Sequence, residues 1–308
     1  MQSPEHPQPT SGLRRPRLVA AAAVLFVLVS LGLAVATTYV DSVPTPEELE
    51  LPQATTVYYA DGKTPMAKLG TENRTILPFA EMNDAVKQGI VAAEDRTFWT
   101  NEGVDFGSVL RAAWNNLTGG TTQGASTITQ QYARIAADLN GVTYSRKLRE
   151  AIMAWKLDDK YHKDEILGFY LNTVPFGRGA YGVEAAAREY FGKTANRHAA
   201  PDRQVTVAEA MLLASMVKQP EPDPDDPDAR PGYDPTRGPA AAANARARWD
   251  YVRAGMVELG YLDPGAAAGL RFPDSVRPYD QRSRQSGLDR PTGLVVQHAL
   301  SELRQTEA

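Results

Sequence analysis

Apolar residues recur at helical spacing along most of the chain between residues 83 and 262. Val86, Ile90 and Ala93 lie three or four positions apart, which places them on one face of a helix. The same kind of pattern predicts further helices over residues 145–160, 163–172, 183–191, 205–217 and 240–259, and an isolated one over residues 294–303. Strand patterns are nearly absent between residues 83 and 262, so the main domain is predicted to be mostly α.

A short β pattern precedes these helices. Residues 55–60 and 66–69 are predicted to be strands, with Asp61-Gly62 between them. An Asp-Gly pair between two strand segments is a strong hairpin signal, because a tight hairpin turn needs positive φ angles. A small N-terminal β-hairpin is therefore expected. Residues 41–53 are acidic and rich in proline, which is typical of an extended spacer.

The longest apolar run covers residues 18–36 and is interrupted only by Ser30 and Gly32. As a helix it would span about 28 Å, close to the hydrocarbon thickness of a membrane. Three arginines at positions 14, 15 and 17 precede it and are expected in the cytoplasm. A cleaved signal peptide is the alternative, but its apolar region would be only about 7 to 15 residues long. We therefore expect a retained, single-pass anchor in the plasma membrane.

The predicted organisation has five parts. They are a cytoplasmic tail (1–17), a transmembrane anchor (18–40), a stalk with the start of the hairpin (41–65), the main domain (66–262) and a linker-like segment (263–308).

One apolar stripe has two interpretations. Its residues share one helix face at spacings of three and four and are Phe106, Val109, Leu110, Ala113, Trp114 and Leu117. Core packing is one interpretation. The other is contact with the membrane interface, because the stripe contains tryptophan, precedes a glycine-rich segment and belongs to a chain with a predicted anchor.

Composition narrows the possible functions. The formal net charge is −4, and no long basic run occurs beyond the extreme N-terminus, which argues against a nucleic-acid surface. The chain has no cysteine, so disulfides and thiolate metal sites are excluded. Its four histidines are far apart in sequence and do not indicate a zinc site.

The first candidate site is the stretch from Glu94 to Asp105. Glu94 follows an apolar helical run, and Gly103 ends the stretch. A carboxylate at the end of a buried helix is desolvated on one side and accessible on the other, which suits a general acid or base. The alternative is an ordinary solvated helix terminus before a glycine turn.

The second candidate site is the polar stretch Gly124-Ala-Ser-Thr-Ile-Thr-Gln-Gln131. Its hydroxyl and amide side chains are suited to hold sugar hydroxyls or phosphate. The alternative is a helix N-cap followed by a polar helix face, and Ser126 can serve in both interpretations.

The predicted helix over residues 145–160 carries an unusual carboxylate. Leu148, Ala151, Ile152 and Trp155 form one apolar face of this helix, whereas Glu150 lies on a second face. The neighbours of Glu150 on that face are Met153, Ala154 and Leu157. A carboxylate among apolar residues should be enclosed and needs cationic company, for which Arg146 and Lys147 are available. A purely structural pair between Arg146 and Glu150 is the alternative.

One glycine motif is not assigned a function. Gly177-Arg-Gly-Ala-Tyr-Gly182 fits the letters of a dinucleotide-binding fingerprint. It follows a predicted helix instead of a strand, so this interpretation fails.

Four motifs in a fixed order resemble the peptidoglycan glycosyltransferases, which comprise the N-terminal domains of class A penicillin-binding proteins and the monofunctional membrane-anchored transglycosylases. The motifs are Glu94-Asp95 with Phe98 and Gly103, Gly124-x-Ser-Thr-Ile-Thr-Gln-Gln131, Arg146-Lys147-x-x-Glu150 and Lys163-x-Glu-Ile-Leu-x-x-Tyr-Leu-Asn172. The resemblance covers about residues 66–262 and implies a lysozyme-like α fold. It also implies polymerisation of lipid II into β-1,4-linked glycan with release of undecaprenyl pyrophosphate.

The resemblance assigns roles to individual residues. Glu94 would deprotonate the 4-hydroxyl of the acceptor sugar, and Glu150 would orient the cations or a bound metal. The cations that would face the departing pyrophosphate are Arg134, Arg146, Lys147 and Lys163. The remaining expected substrate contacts are Asp95, Asn101, Ser126, Thr127, Gln130, Gln131 and Asn172. No cofactor is required, although a divalent cation (Mg²⁺ or Mn²⁺) at the pyrophosphate fits the scheme. Lipid II, the nascent glycan, the membrane and cell-wall elongation or division proteins are the implied partners.

The sequence departs from the family pattern at three positions. Asn101 stands where histidine is usual, Arg134 stands where lysine is usual, and Val142 often has an arginine counterpart. We expect activity to survive with altered phosphate binding, since only Val142 loses a phosphate contact. No Ser-x-x-Lys motif of a penicillin-binding transpeptidase is expected in this sequence, so the chain is interpreted either as a fragment of a bifunctional protein or as a monofunctional enzyme.

Two other functions compete with the transferase. A lysozyme-like hydrolase would use a glutamate as general acid, but a neutral leaving sugar does not require four cations. An inactive anchored scaffold would not require the two glutamates.

Overall fold

The computed structural model describes residues 37–42, 55–62, 65–69, 73–105, 126–137, 139, 143–222, 230–279 and 293–306. The chain divides into two compact units, Met1–Pro44 and Thr45–Ala308. Residues 37–42 of the first unit are helical. Most of the predicted anchor and the whole stripe from Phe106 to Leu117 lie outside the described residues. Within the described ranges, no helix combines the length and hydropathy needed to span a membrane.

The predicted hairpin is present. Strands β1 (Thr55–Tyr58) and β2 (Pro65–Leu69) pair antiparallel, and Thr55 faces Leu69 across the pair. Gly62 in the turn has a φ of 63°, a value that glycine adopts without strain. A short third strand, β3 (Asn73–Arg74), follows.

The second unit is mostly helical, as predicted. Its helices are α1 (Asp84–Glu94), α2 (Ile128–Ala136), α3 (Tyr144–Lys160), α4 (Lys163–Thr173), α5 (Val183–Phe191), α6 (Val207–Met216), α7 (Pro239–Glu258), α8 (Pro264–Gly269) and α9 (Gly293–Thr306). Single 3₁₀ turns occur at Phe79–Glu81 and Pro201–Arg203.

Two groups of helices form the core. In the first group α1 packs against α6 and α7, and in the second α2 packs against α3 and α4. Gly255 on α7 allows the close approach in the first group, because a Cβ atom there would lie 2.9 Å from the backbone oxygen of Ala92 on α1. The C-terminal end of α1 therefore lies beside α7, and the loop that follows α1 contacts the start of α2.

The motif Gly177 to Gly182 forms a tight hairpin that the sequence did not predict. Strands β4 (Pro175–Gly177) and β5 (Ala180–Tyr181) pair antiparallel, and β5 also pairs parallel with β3. All three glycines of the motif have positive φ, and so does Arg178 at 53°. The glycines are explained by this backbone geometry, which agrees with the rejection of a dinucleotide site.

Candidate active site

Glu94 is the last residue of α1, and the residues before it are buried. Val91 and Ala93 are at most 5% exposed, whereas 9% of the Glu94 side chain remains exposed. The carboxylate is thus largely enclosed and still reachable from solvent. This is the environment that the sequence predicted for a catalytic carboxylate.

Both carboxylate oxygens of Glu94 accept a hydrogen bond. Arg248 on α7 donates from Nη2 to Oε1 at 2.8 Å, and Gln131 on α2 donates from Nε2 to Oε2 at 3.0 Å. The hydroxyl of Tyr170 on α4 donates to Oε1 of the same glutamine at 3.0 Å. An ionised carboxylate accepts at both oxygens, so this set of donors suits a general base.

Asp95 joins the loop after α1 to the start of α2. Its carboxylate accepts from the backbone N–H of Ile128 at 3.1 Å, from the Asn101 amide at 3.0 Å and from both the backbone and the hydroxyl of Thr97. Burial raises the pKa of Asp95, and these hydrogen bonds partly oppose that shift. Both of its carboxylate oxygens accept hydrogen bonds from the protein itself, so Asp95 stabilises the loop after α1 in this structure.

The start of α2 is a capping box centred on Thr127. The Thr127 hydroxyl accepts from the backbone of Gln130, and the Gln130 side chain accepts in return from the backbone of Thr127, both at 3.1 Å. Thr127 also donates to the backbone oxygen of Gly103 at 2.6 Å. Thr127 and Gln130 are both 2% exposed, and their side chains cap the N-terminus of α2. The N-cap is therefore Thr127 and not Ser126. The Ser126 hydroxyl instead accepts a hydrogen bond from Lys147 on α3.

A cluster of charges on α3 surrounds Glu150. The Glu150 side chain is only 2% exposed, with Arg146 Nη1 at 2.9 Å from Oε1 and Lys147 Nζ at 3.0 Å from Oε2. Lys147 also donates to the Ser126 hydroxyl at 2.6 Å and keeps 43% of its side chain exposed. Met153, Ala154 and Leu157 on the same face are buried. The predicted enclosure of Glu150 with two cations is confirmed.

The other predicted face of α3 is not part of the core. Leu148 and Trp155 are each 54% exposed. A helix with a carboxylate on its buried face and large apolar side chains on its exposed face departs from ordinary amphipathic patterning.

The remaining predicted cations differ in their partners. The side chain of Arg134 on α2 forms no hydrogen bond or ion pair with the described residues, and it is half-buried. Lys163 at the start of α4 forms an ion pair with Asp158 and donates to Asn101 Oδ1 at 3.1 Å. Within the described part of the chain, the charge of Lys163 is thus compensated by Asp158, whereas the guanidinium of Arg134 has no ion-pair partner.

Asn172 holds a loop and contacts none of the groups above. Its side-chain amide donates to the backbone oxygen of Leu77 and accepts from the backbone N–H of the same residue, both at 3.0 Å. This two-way clamp attaches the segment before α1 to the end of α4.

Sequence reasoning missed two residues at the site. Arg248 had a usable signal, because it lies between Ala245 and Val252 on the buried face of α7, where an arginine is as unusual as Glu150 is on α3. Tyr170 lies within a recognised motif, but nothing in the pattern distinguishes a hydrogen-bonding tyrosine from a core aromatic residue.

The prediction that the sequence contains no Ser-x-x-Lys motif is wrong in its letters. Ser215-Met-Val-Lys218 does fit the letters Ser-x-x-Lys. Ser215 is completely buried on α6, and its hydroxyl donates to the backbone oxygen of Met211 at 2.7 Å. A buried hydroxyl bound within its own helix cannot act as a transpeptidase nucleophile.

Comparison with known proteins identifies the family. Residues 62–257 match the family described as Transglycosylase. Penicillin-binding protein 1A of Mycobacterium tuberculosis is 36% identical over 94% of this chain and 33% of its own length. The protein of the same name from Mycolicibacterium smegmatis is 34% identical over 94% of this chain and 35% of its own length. Penicillin-binding protein 2D of Bacillus subtilis is 42% identical over 56% of this chain and 24% of its own length.

The chain spans about a third of the length of the first two relatives. The family match covers more than half of the chain and includes the glutamates, the polar stretch and the cations described above. The chain therefore belongs to the transglycosylase family, the peptidoglycan glycosyltransferases of class A penicillin-binding proteins.

Proposed function

We propose that this chain polymerises lipid II into β-1,4 glycan strands and releases undecaprenyl pyrophosphate, as an enzyme anchored in the plasma membrane with its catalytic domain outside the cytoplasm. The observation that supports the proposal most directly is the environment of Glu94. Its carboxylate accepts hydrogen bonds at both oxygens and is still accessible to solvent. The topology rests on the apolar run over residues 18–36 and the arginines before it.

Glu94 acts as the general base. It takes the proton from the 4-hydroxyl of the acceptor sugar, and the oxygen attacks the anomeric carbon of the donor with inversion. The bond to the lipid pyrophosphate breaks, and its electron pair leaves with the pyrophosphate. Such base assistance contributes about 10² to 10⁴ in rate.

The departing pyrophosphate gains negative charge, which cations stabilise in the transition state. Lys147 and Arg134 are the cations best placed for this role. The Lys147 side chain is 43% exposed, and the Arg134 side chain forms no ion pair with the described residues. Glu150 orients Arg146 and Lys147 through its ion pairs with both residues. Lys163 contributes less, since Asp158 already compensates its charge.

We assign no step to a divalent cation. Within the described ranges, no group of three or more His, Asp or Glu residues could hold a metal ion. The Oε1 atom of Glu150 lacks a hydrogen bond with good geometry, but Arg146 and Lys147 on either side disfavour a metal held by the protein alone. Mg²⁺ or Mn²⁺ would therefore be bound mainly through pyrophosphate oxygens, and assays with and without chelator test this.

Replacing Lys147 with methionine should lower kcat by about 10² to 10³, the usual loss for one transition-state charge partner. Lys156→Met is the matched control, because it removes a lysine from the same helix away from Glu150. The measurement is the steady-state rate of glycan formation for both variants. Equal rates for the two variants would show that Lys147 does not stabilise the leaving pyrophosphate.

Parallel incubations test the proposed function. The full chain should convert lipid II in detergent micelles into glycan and undecaprenyl pyrophosphate, and it should release nothing from finished peptidoglycan. Soluble fragments from finished peptidoglycan would support a hydrolase instead. The absence of product in both incubations would support an inactive scaffold.

A further inference from the structure

Glu94 is held from two sides by helices of different groups. Arg248 on α7 holds Oε1, and Gln131 on α2 holds Oε2. A carboxylate can accept about four hydrogen bonds, so positions remain for the acceptor hydroxyl. The two donors fix the plane of the carboxylate and hence the direction of the remaining lone pairs.

Arg248 is itself fixed before any substrate binds. Its Nη2 atom also donates to the backbone oxygen of Ala93 at 2.9 Å. Its guanidinium lies 4.8 Å from the centre of the Tyr251 ring, and Arg96 covers that ring at 4.5 Å. Only 15% of the Arg248 side chain is exposed. The guanidinium therefore reaches Glu94 in a geometry that the protein has already set.

Tyr170 determines which end of the Gln131 amide faces Glu94. Tyr170 is completely buried, and burial together with the charge of Glu94 raises the pKa of its hydroxyl well above the ordinary value. The hydroxyl therefore keeps its proton and donates to Oε1 of Gln131. With Oε1 bound in this way, the Nε2 group of Gln131 must point at Glu94.

We propose that Arg248 and Tyr170 are positioning residues for the catalytic base, with Arg248 holding one oxygen of Glu94 and Tyr170 holding the other through Gln131. This proposal rests on the proposed function of Glu94 as the base. Two donors with different chemistry hold the carboxylate, so each should leave a different kinetic signature. Arg248 supplies charge and direction, whereas Tyr170 supplies direction alone.

Other charged residues act on Glu94, Arg248 and Tyr170. Lys218 after α6 interacts with both Glu94 and Arg248, and its pKa is lowered by burial first and by Arg248 next. Arg134 on α2 and Asp95 after α1 complete the set of nearby charges that act on Tyr170. Arg248→Met removes the charge that acts on Lys218, whereas Arg248→Lys keeps it, so only Arg248→Lys isolates the direction of the hydrogen bond to Glu94.

The test compares kcat and KM of four variants of the full chain with those of the wild type in lipid II polymerisation. Tyr170→Phe should lower kcat by about tenfold to 100-fold with little change in KM, because a misdirected catalytic group costs rate and not affinity. Tyr132→Phe is the matched control, since Tyr132 is another buried tyrosine of the same helix group, and its hydroxyl makes no hydrogen bond to the Gln131 side chain within the described residues.

The arginine variants separate charge from direction. Arg248→Met should lower kcat with little change in KM, because it removes both the charge and the direction that Arg248 supplies. Arg248→Lys keeps the charge but loses the planar fork, so it should recover only part of the rate that Arg248→Met loses.

Several results would overturn the proposal. One is a Tyr170→Phe rate equal to that of Tyr132→Phe, and another is an Arg248→Met rate equal to that of the wild type. If the wild type makes no glycan, the proposed function fails. The contact between Tyr170 and Gln131 is then tested without substrate, by NMR spectroscopy. The side-chain amide resonances of Gln131 should shift in Tyr170→Phe and not in Tyr132→Phe, and unchanged resonances would refute the contact.

Discussion

Replacing Glu94 with glutamine should lower the rate of lipid II polymerisation by about 10² to 10⁴ while leaving substrate binding and the melting temperature nearly unchanged. Glutamine has the shape of glutamate and can still accept from Arg248, but it cannot take a proton from the acceptor hydroxyl at neutral pH. The measurement is the initial rate of glycan formation together with a thermal unfolding curve of the same sample.

The matched control is Glu102→Gln, which neutralises an exposed carboxylate in the loop after α1. It should polymerise at the wild-type rate. If Glu94→Gln keeps more than a few per cent of the wild-type rate, Glu94 is not the base.

Replacing Asp234 with alanine should lower the free energy of unfolding by about 3 to 5 kcal/mol, the usual cost of removing one partner of a buried ion pair. Asp234 and Arg178 have completely buried side chains and share two hydrogen bonds, at 2.8 Å and 2.9 Å. The substitution leaves the guanidinium of Arg178 buried without its carboxylate. Arg178 also lies in the β4–β5 hairpin at a positive φ, so this pair secures a strained turn.

Asp250→Ala is the control, since its ion pair with Arg253 is partly exposed and should be worth less than about 1 kcal/mol. Chemical denaturation of the three proteins measures the difference. Equal midpoints for Asp234→Ala and Asp250→Ala would contradict the stabilising role of the buried pair.

The effect of Asp234 should also depend on pH. Burial alone would raise the pKa of Asp234, but its hydrogen bond and charge interaction with Arg178 outweigh burial and lower the pKa. A lowered pKa in the folded state stabilises the fold above the pKa of the unfolded state, and this stability is lost as the pH falls through the folded pKa. The difference between wild type and Asp234→Ala should therefore shrink below about pH 4.

The sequence predicted the parts of the fold that depend on periodic burial. The apolar spacing around Val86 and Ile90 predicted α1 and its end at Glu94, and the second face of α3 predicted the enclosure of Glu150. Both features could be predicted because the position of a side chain on a helix follows from its spacing in the sequence. The predicted hairpin at Asp61-Gly62 rests on local turn chemistry in the same way.

The missed features depend on contacts that are distant in sequence. Arg248 reaches Glu94 only because Gly255 lets α7 approach α1, and 154 positions separate the two charged residues. Strands β4 and β5 contain only two or three residues, too few to show alternation.

The sequence alone could not distinguish structural polar residues from substrate-binding ones within the recognised motifs. Asp95, Thr127 and Gln130 were expected to contact substrate, and the structure places their polar groups on the protein backbone or on neighbouring side chains. A hydroxyl that caps a helix and one that binds a sugar require the same residue type. Their distinction depends on burial, which only the three-dimensional arrangement provides.

The most direct test of the account uses lipid II that lacks the 4-hydroxyl of its terminal sugar. This analogue retains the donor bond to the pyrophosphate, but it offers Glu94 no hydroxyl to deprotonate. We predict that ordinary lipid II gives glycan and undecaprenyl pyrophosphate, and that the analogue alone gives neither. Release of undecaprenyl pyrophosphate from the analogue at the rate of ordinary lipid II would contradict the account, because a nucleophile other than the 4-hydroxyl would then have attacked the donor.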